Sequence, residues 1–257
     1  MPEQFPPGYG VLLTRPLAQS LELANAIEQR GGTAFVFPSM EIVLRDEHDI
    51  LRDVNALGAA DITVFVSRNA VASGIAYAEG QLAAIGPTTA AEIVGAGHAV
   101  DICPTTGFDS EHLLAEPAFA DVQGKTIRII RGNGGRERLA NELRARGAKV
   151  EYLTTYERRL PEHSAEVVND LETRWHAGEI AAIVLMSVQS LECLKLLLSP
   201  LGRSQLGHTL VVTPASRVLK EVLSQFPDSP AVLCAGPRLN DIVDCLAATA
   251  NSATRPT

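Results

Sequence analysis

Two stretches of this chain are copies of one another, and no other feature constrains the fold as tightly. The segment VLLTRPLAQSLELANAIEQRGGTAFVFPSMEI (Val11–Ile42) returns as IRIIRGNGGRERLANELRARGAKVEYLTTYER (Ile127–Arg158). The offset is a constant 116 residues, which carries Arg15 onto Arg131, Gly31 onto Gly147 and Met40 onto Tyr156. A repeat of this length predicts two similar units. Two such units leave a cleft between them, and clefts at domain interfaces are favoured ligand sites. Fainter echoes extend the duplication. VFVSRNAV (Val64–Val71) resembles IVLMSVQSL (Ile183–Leu191), and AIGPTTAAEI (Ala84–Ile93) resembles VVTPASRVLK (Val211–Lys220). Each half then holds about five strands.

Within each copy, short apolar runs alternate with amphipathic stretches of about ten residues. Val11–Leu13 predicts a strand, Leu17–Gln29 a helix closed by Gly31 and Gly32, and Ala34–Phe37 a strand stopped by Pro38. Further strands are expected at Ile62–Ser67, Leu82–Ile85, Ala99–Ile102, Ile127–Ile130, Val150–Leu153, Ala181–Met186, Thr209–Val212 and Ala231–Cys234. Helices are expected near Ala70–Glu79, Thr89–Ala96 and Arg136–Arg146. This alternation predicts an α/β protein with parallel sheets covered by helices on both faces. Met1–Tyr9 and Ala250–Thr257 read as loose ends.

Several function classes are disfavoured. A formal net charge of −8 argues against a general nucleic-acid binder, which wants a basic stripe. No run of eighteen apolar residues and no basic, apolar leader occurs, so neither a membrane span nor a signal peptide is expected. The four cysteines form no CxxC pair, and the six histidines form no HExxH. Reduced thiols in the cytoplasm are expected, without a metal.

Ligands of open α/β sheets bind at the carboxyl ends of the strands, where Arg15, Ser67, Gly86, Arg131, Ser187 and Thr213 all fall. RGNGGRE (Arg131–Glu137) invites a dinucleotide reading. There Gly132 and Gly134 fit GxGxxG, but Glu137 replaces the third glycine. Glu151 lies near the usual position of a ribose-binding acid. Three groups suit anions: the helix start Gly86-Pro87-Thr88-Thr89-Ala90, the stretch Ser67-Arg68-Asn69-Ala70, and the arginines Arg15, Arg131 and Arg136. Each hydroxyl or amide here could equally be a plain helix cap, and Arg136 could pair with Glu137 or Asn141 on the surface.

Together, LLTRP (Leu12–Pro16), VSRNAV (Val66–Val71), AIGPTTA (Ala84–Ala90), DSEHLL (Asp109–Leu114), RGNGGRERLANELRARGAKV (Arg131–Val150) and TYERR (Thr155–Arg159) resemble the uroporphyrinogen-III synthase family. The order and spacing of the motifs, from Gly10 to about Leu246, carry the resemblance. The second half departs more, with LMSVQS where the family often has a Thr-Ser pair.

The resemblance implies two flavodoxin-like domains joined by a two-stranded hinge, one formed by residues 1–38 with 159–257 and the other by 41–156. It implies a cofactor-free reaction, in which hydroxymethylbilane loses water and closes to uroporphyrinogen III. Ring D is inverted through a spiro intermediate. It also implies Tyr156 as the acid for the departing hydroxyl. The substrate's eight carboxylates would be bound by Arg15, Ser67, Asn69, Gly86, Thr89, Ser110, Arg131, Gly132, Arg136, Ser187 and Thr213. A monomer is expected, with transient contact to the preceding pathway enzyme. On the residues alone, Tyr156 could simply pack at a strand end, as Tyr152 is expected to do. Two other functions also stay open: a two-lobed small-ligand receptor and a nucleotide-dependent α/β enzyme.

Overall fold

The computed structural model describes residues 3–134 and 137–253. The chain opens with β1 (Gly10–Leu13), α1 (Leu17–Glu28) and β2 (Thr33–Val36). It continues through β3 (Glu41–Leu44), α2 (Glu47–Ala56), β4 (Ile62–Phe65), α3 (Arg68–Gly74), β5 (Gln81–Ala84), α4 (Pro87–Gly95) and α5 (Ser110–Leu114). Next come β6 (Thr126–Gly132), α6 (Arg138–Ala145) and β7 (Lys149–Arg159). The last stretch holds α7 (Ala165–His176), β8 (Ala182–Val184), α8 (Val188–Leu197), α9 (Pro200–Gln205), β9 (Leu210–Thr213), α10 (Ser216–Gln225), β10 (Ala231–Leu233) and α11 (Leu239–Ala253).

These elements form two compact units. The first comprises the chain up to Glu41 and from Arg159 onward, and the second runs from Ile42 to Arg158. The first unit's sheet has the order β10-β9-β8-β1-β2, with parallel neighbours throughout. This is the 2-1-3-4-5 order of flavodoxin-like folds. The second sheet has the order β3-β7-β6-β4-β5. Its β7-β6-β4-β5 run is parallel, and Ile102 bridges to Ala83 on β5. The expected strand Ala99–Ile102 is thus reduced to one bridge. Matched through the repeat, β7-β6-β4-β5 stands for β2-β1-β8-β9. The second unit therefore has the same wiring with the chain entering at a different point, and β3 is added at its edge.

The first four residue pairs of the repeat match in register. Gly10–Leu13 pair with Thr33–Val36, and Thr126–Ile129 pair with Lys149–Tyr152, so every pair moves by 116 residues. Both helices end alike. Gly31 (φ +83°) and Gly147 (φ +84°) occupy left-handed conformations that favour glycine. Their N–H groups bond to Glu28 and Arg144, while Gly32 and Ala148 bond to Ile27 and Leu143. This is the Schellman pattern in both copies.

Parallel strands covered on both faces need apolar residues on both. In β1, Val11 and Leu13 pack with Leu23, Ile242 and Leu246, while Leu12 packs with Trp175, Ile183 and Leu194 on the other side. In β6, Ile127 and Ile129 face Phe119 and Leu143, while Ile130 faces Phe65, Val71 and Ile93. Within the described residues both ends are packed rather than loose, while residues 1–2 and 254–257 lie outside them. Phe5 is buried and stacks on Tyr9, and Ala250 is buried within α11. No helix among the described residues is long and apolar enough to cross a membrane.

Candidate functional site

The two copies diverge at Pro38, whose counterpart is Thr154. Proline cannot donate to a ladder, so β2 ends at Val36, whereas β7 runs on to Arg159. Along that extension the register slips by one residue. Arg131 pairs with Thr154, but Gly132 pairs with Tyr156, leaving Thr155 as the inserted residue. Residues three apart on a strand normally face opposite sides. The slip instead places Leu153 and Tyr156 in one core cluster with Phe65, Val71 and Ile130. A bulge of this kind re-aims a side chain, here Tyr156.

The Tyr156 side chain is fully buried. Its ring lies over Gly132, where an added Cβ would come within 2.5–2.9 Å of three ring atoms. Its hydroxyl accepts from Arg158 Nη2 at 3.0 Å and lies 3.0 Å from Ser67 Oγ. Ser67 precedes α3, and its Oγ accepts the Ala70 N–H at 3.1 Å. One turn later, Ser73 Oγ donates to the Asn69 carbonyl and meets Thr155 Oγ1 at 2.6 Å. Two hydroxyl pairs therefore bind the end of β7 to α3.

Gly132→Ala is expected to cost about 1–3 kcal/mol through overpacking and to lower turnover by shifting the Tyr156 ring. Gly95→Ala, in open space on α4, serves as the control. Thermal melts of both variants check this, and a Gly132→Ala protein as stable and active as wild type would exclude the ring-over-glycine contact.

Arg131, expected to bind a substrate carboxylate, closes on its own turn. Nη1 bonds Glu137 Oε1 at 3.0 Å, Nη2 donates to the Gly134 carbonyl, and the guanidinium lies 4.6 Å from the Tyr152 ring centroid. The Tyr152 hydroxyl donates to the other Glu137 oxygen. The Tyr152 hydrogen bond and then Arg131 hold the Glu137 carboxyl below the usual carboxylate range. Burial and then Glu137 push the Tyr152 phenol up. Tyr152 therefore does more than pack: with Arg131 and Glu137 it clamps the turn after β6.

The other candidates divide by unit. Gly86 caps α4, and an added Cβ would press on Phe108 at 3.0 Å. Thr89 is buried, Asn69 and Ser110 are half-buried at the first turns of α3 and α5, and Arg136 lies outside the described residues. In the first unit, Arg15 donates to Gln19 Oε1 at 3.2 Å, and Ser187 accepts the Ser190 N–H as the cap of α8. Thr213 is buried and accepts the Ala215 N–H at 3.2 Å. Ser67 and Gly86 follow β4 and β5 by two residues, and with Gly132 on β6 and Tyr156 on β7 they share the carboxyl edge of one sheet. Glu151 does not join them. It pairs with Arg128 near the start of β7 and bonds Lys149 at 2.6 Å, at the opposite edge from the one a ribose-binding acid needs.

Arg158 falls within the TYERR motif but outside the candidate site residues. Its signal is its place two residues after Tyr156 on a strand, which puts both side chains on one face.

The sequence model of the family described as Uroporphyrinogen-III synthase HemD matches residues 22–244. The uroporphyrinogen-III synthase of Escherichia coli K12 is 30% identical over 225 residues, covering 82% of this chain and 89% of its own length. That of Salmonella typhimurium LT2 is 31% identical over 194 residues, covering 71% and 77%. A mutant uroporphyrinogen III synthase from the extremely thermophilic bacterium Thermus thermophilus shares the fold with a TM-score of 0.64 at 19% identity, over 95% of this chain and 99% of its own. A uroporphyrinogen-III synthetase from Helicobacter pylori 26695 does so with a TM-score of 0.59 at 11% identity, over 94% and 99%. With the family's sequence pattern running through both units and both connections between them, this chain belongs to the uroporphyrinogen-III synthase family.

Proposed function

We infer that this protein closes hydroxymethylbilane to uroporphyrinogen III, with loss of water and inversion of ring D. The observation that best supports the site is the Tyr156 hydroxyl, held between a guanidinium that can only donate and a serine that can accept. In this chemistry a pyrrole nitrogen expels the terminal hydroxyl as the azafulvene forms, and one proton must reach the departing oxygen. Tyr156 is the source of that proton, and Arg158 faces the oxygen on which negative charge then appears. The remaining work is orientation, since spontaneous closure gives the uninverted isomer. Within the second unit, the substrate's carboxylates suit the helix starts at Gly86 and Ser110, together with Arg136. The enzyme is proposed to work as a cytoplasmic monomer that meets the preceding enzyme transiently.

Supplying hydroxymethylbilane and identifying the porphyrin isomer after oxidation tests this directly. Type III product at an accelerated rate is expected; type I alone at the spontaneous rate would refute the assignment. NAD and FMN are expected to leave the melting temperature unchanged, and a clear rise with either would favour the nucleotide-dependent alternative.

A further inference from the structure

A fully buried phenol cannot itself hand a proton to a substrate. Hydrogen-bond valence shows which way the proton can travel. The Arg158 guanidinium only donates, so the Tyr156 oxygen accepts from it. Ser67 Oγ already accepts the Ala70 N–H. If Ser67 donated to Tyr156, the phenol proton would have no acceptor among the described residues inside a fully buried side chain, at a cost of about 1–3 kcal/mol. With Tyr156 donating to Ser67, the phenol proton has its acceptor. The proton without a protein acceptor among the described residues is then that of Ser67, whose residue is half-buried.

We propose that Ser67 is the catalytic acid of this reaction and that Tyr156 is the buried reserve behind it, positioned by Arg158. The proposal rests on the synthase activity inferred above. The C–O bond of the hydroxymethyl carbon breaks with its electron pair on oxygen, which takes the Ser67 proton and leaves as water. The pyrrole nitrogen's lone pair replaces that bond through the ring, giving the azafulvenium cation. In the same motion Ser67 takes the Tyr156 proton, so no alkoxide forms, and the phenolate rests against Arg158. The proton released when the closed ring regains its pyrrole character returns along the same path.

The test is a set of variants assayed on hydroxymethylbilane for kcat and KM. Ser67→Ala loses both the hydroxyl and the helix cap, Ser67→Asn keeps a cap but no hydroxyl, and Ser67→Thr keeps both. The expected result is a fall in kcat on the order of 10²-fold or more for Ser67→Ala and Ser67→Asn, with little change in KM and recovery in Ser67→Thr. The Ser67→Ala/Tyr156→Phe double variant should be no slower than the slower single variant, because one path is cut twice. A Ser67→Asn protein at wild-type kcat overturns the proposal, as do losses that multiply in the double variant. Wild-type kcat in Tyr156→Phe with impaired Ser67→Asn overturns the relay while leaving the synthase assignment intact. Only type I product from the unmutated protein removes both.

Discussion

Tyr156→Phe is expected to lower turnover by about 10²–10⁴-fold while leaving KM nearly unchanged, the usual range for losing a positioned proton donor. The substitution removes one oxygen and little else. The ring can stay over Gly132, Ser67 keeps its bond from Ala70, and Arg158 keeps its place 5.5 Å from the ring centroid. The stability cost should be only about 1 kcal/mol, since neither former partner becomes fully buried and unpaired. Steady-state kinetics alongside a melt separate the two effects. A rise in KM at constant kcat would make Tyr156 a binding residue, and wild-type turnover would end its role as proton source.

The second large effect is on stability. Arg128 is 1% exposed, donates to the carbonyls of Gly58 at 2.5 Å and Tyr77 at 3.2 Å, and lies 3.5 Å from Glu79 and 4.0 Å from Glu151. Its distance to Glu151 is too long for a hydrogen bond, so that pairing is charge against charge. Among the described residues, Arg128→Ala leaves the Gly58 and Tyr77 carbonyls without donors and the buried Glu151 with only exposed Lys149. A loss of about 3–5 kcal/mol is expected, the range for breaking a buried ionic group on one side. Urea unfolding of the two proteins measures it, and a loss under ~1 kcal/mol would show that the cluster contributes little. The kcat of the folded fraction should hold, because Arg128 lies about 13 Å along β6 from Gly132 at ~3.3 Å per residue.

The parts of this fold that are legible in the sequence are those repeated at constant spacing. The 116-residue offset carries both strand pairings and both Schellman turns, because each depends on residue type at fixed positions. The strand expected at Ala99–Ile102 is the opposite case: its apolar residues pack at a sheet margin but form one bridge only. The slip between Arg131 and Gly132 has no sequence signature, since one inserted residue merely blurs a two-residue alternation. It nevertheless decides which face Tyr156 takes. Arg131 illustrates the same limit. A guanidinium at a strand end suits an incoming carboxylate, and only the conformation of the turn shows that Glu137 already fills that position.

The altered wiring of the second unit also bears on the order in which the protein is made. Residues 42–158 are contiguous, so that sheet can close as soon as β7 has been synthesised. The first sheet cannot. Leu12 in β1 must wait for Ile183 in β8, a separation of 171 residues, which takes roughly 10–35 s at ~5–20 residues per second. During that wait β1 has a ladder partner only in β2. The contiguous unit shortens the effective separation, because β3 and β7 lie side by side and tie together the two ends of the intervening chain. By the weak logarithmic dependence of closure entropy on loop length, this aids the pairing of β1 with β8 by roughly 1 kcal/mol. The unit that carries Tyr156 thus also holds close together the two chain ends from which the other sheet is completed.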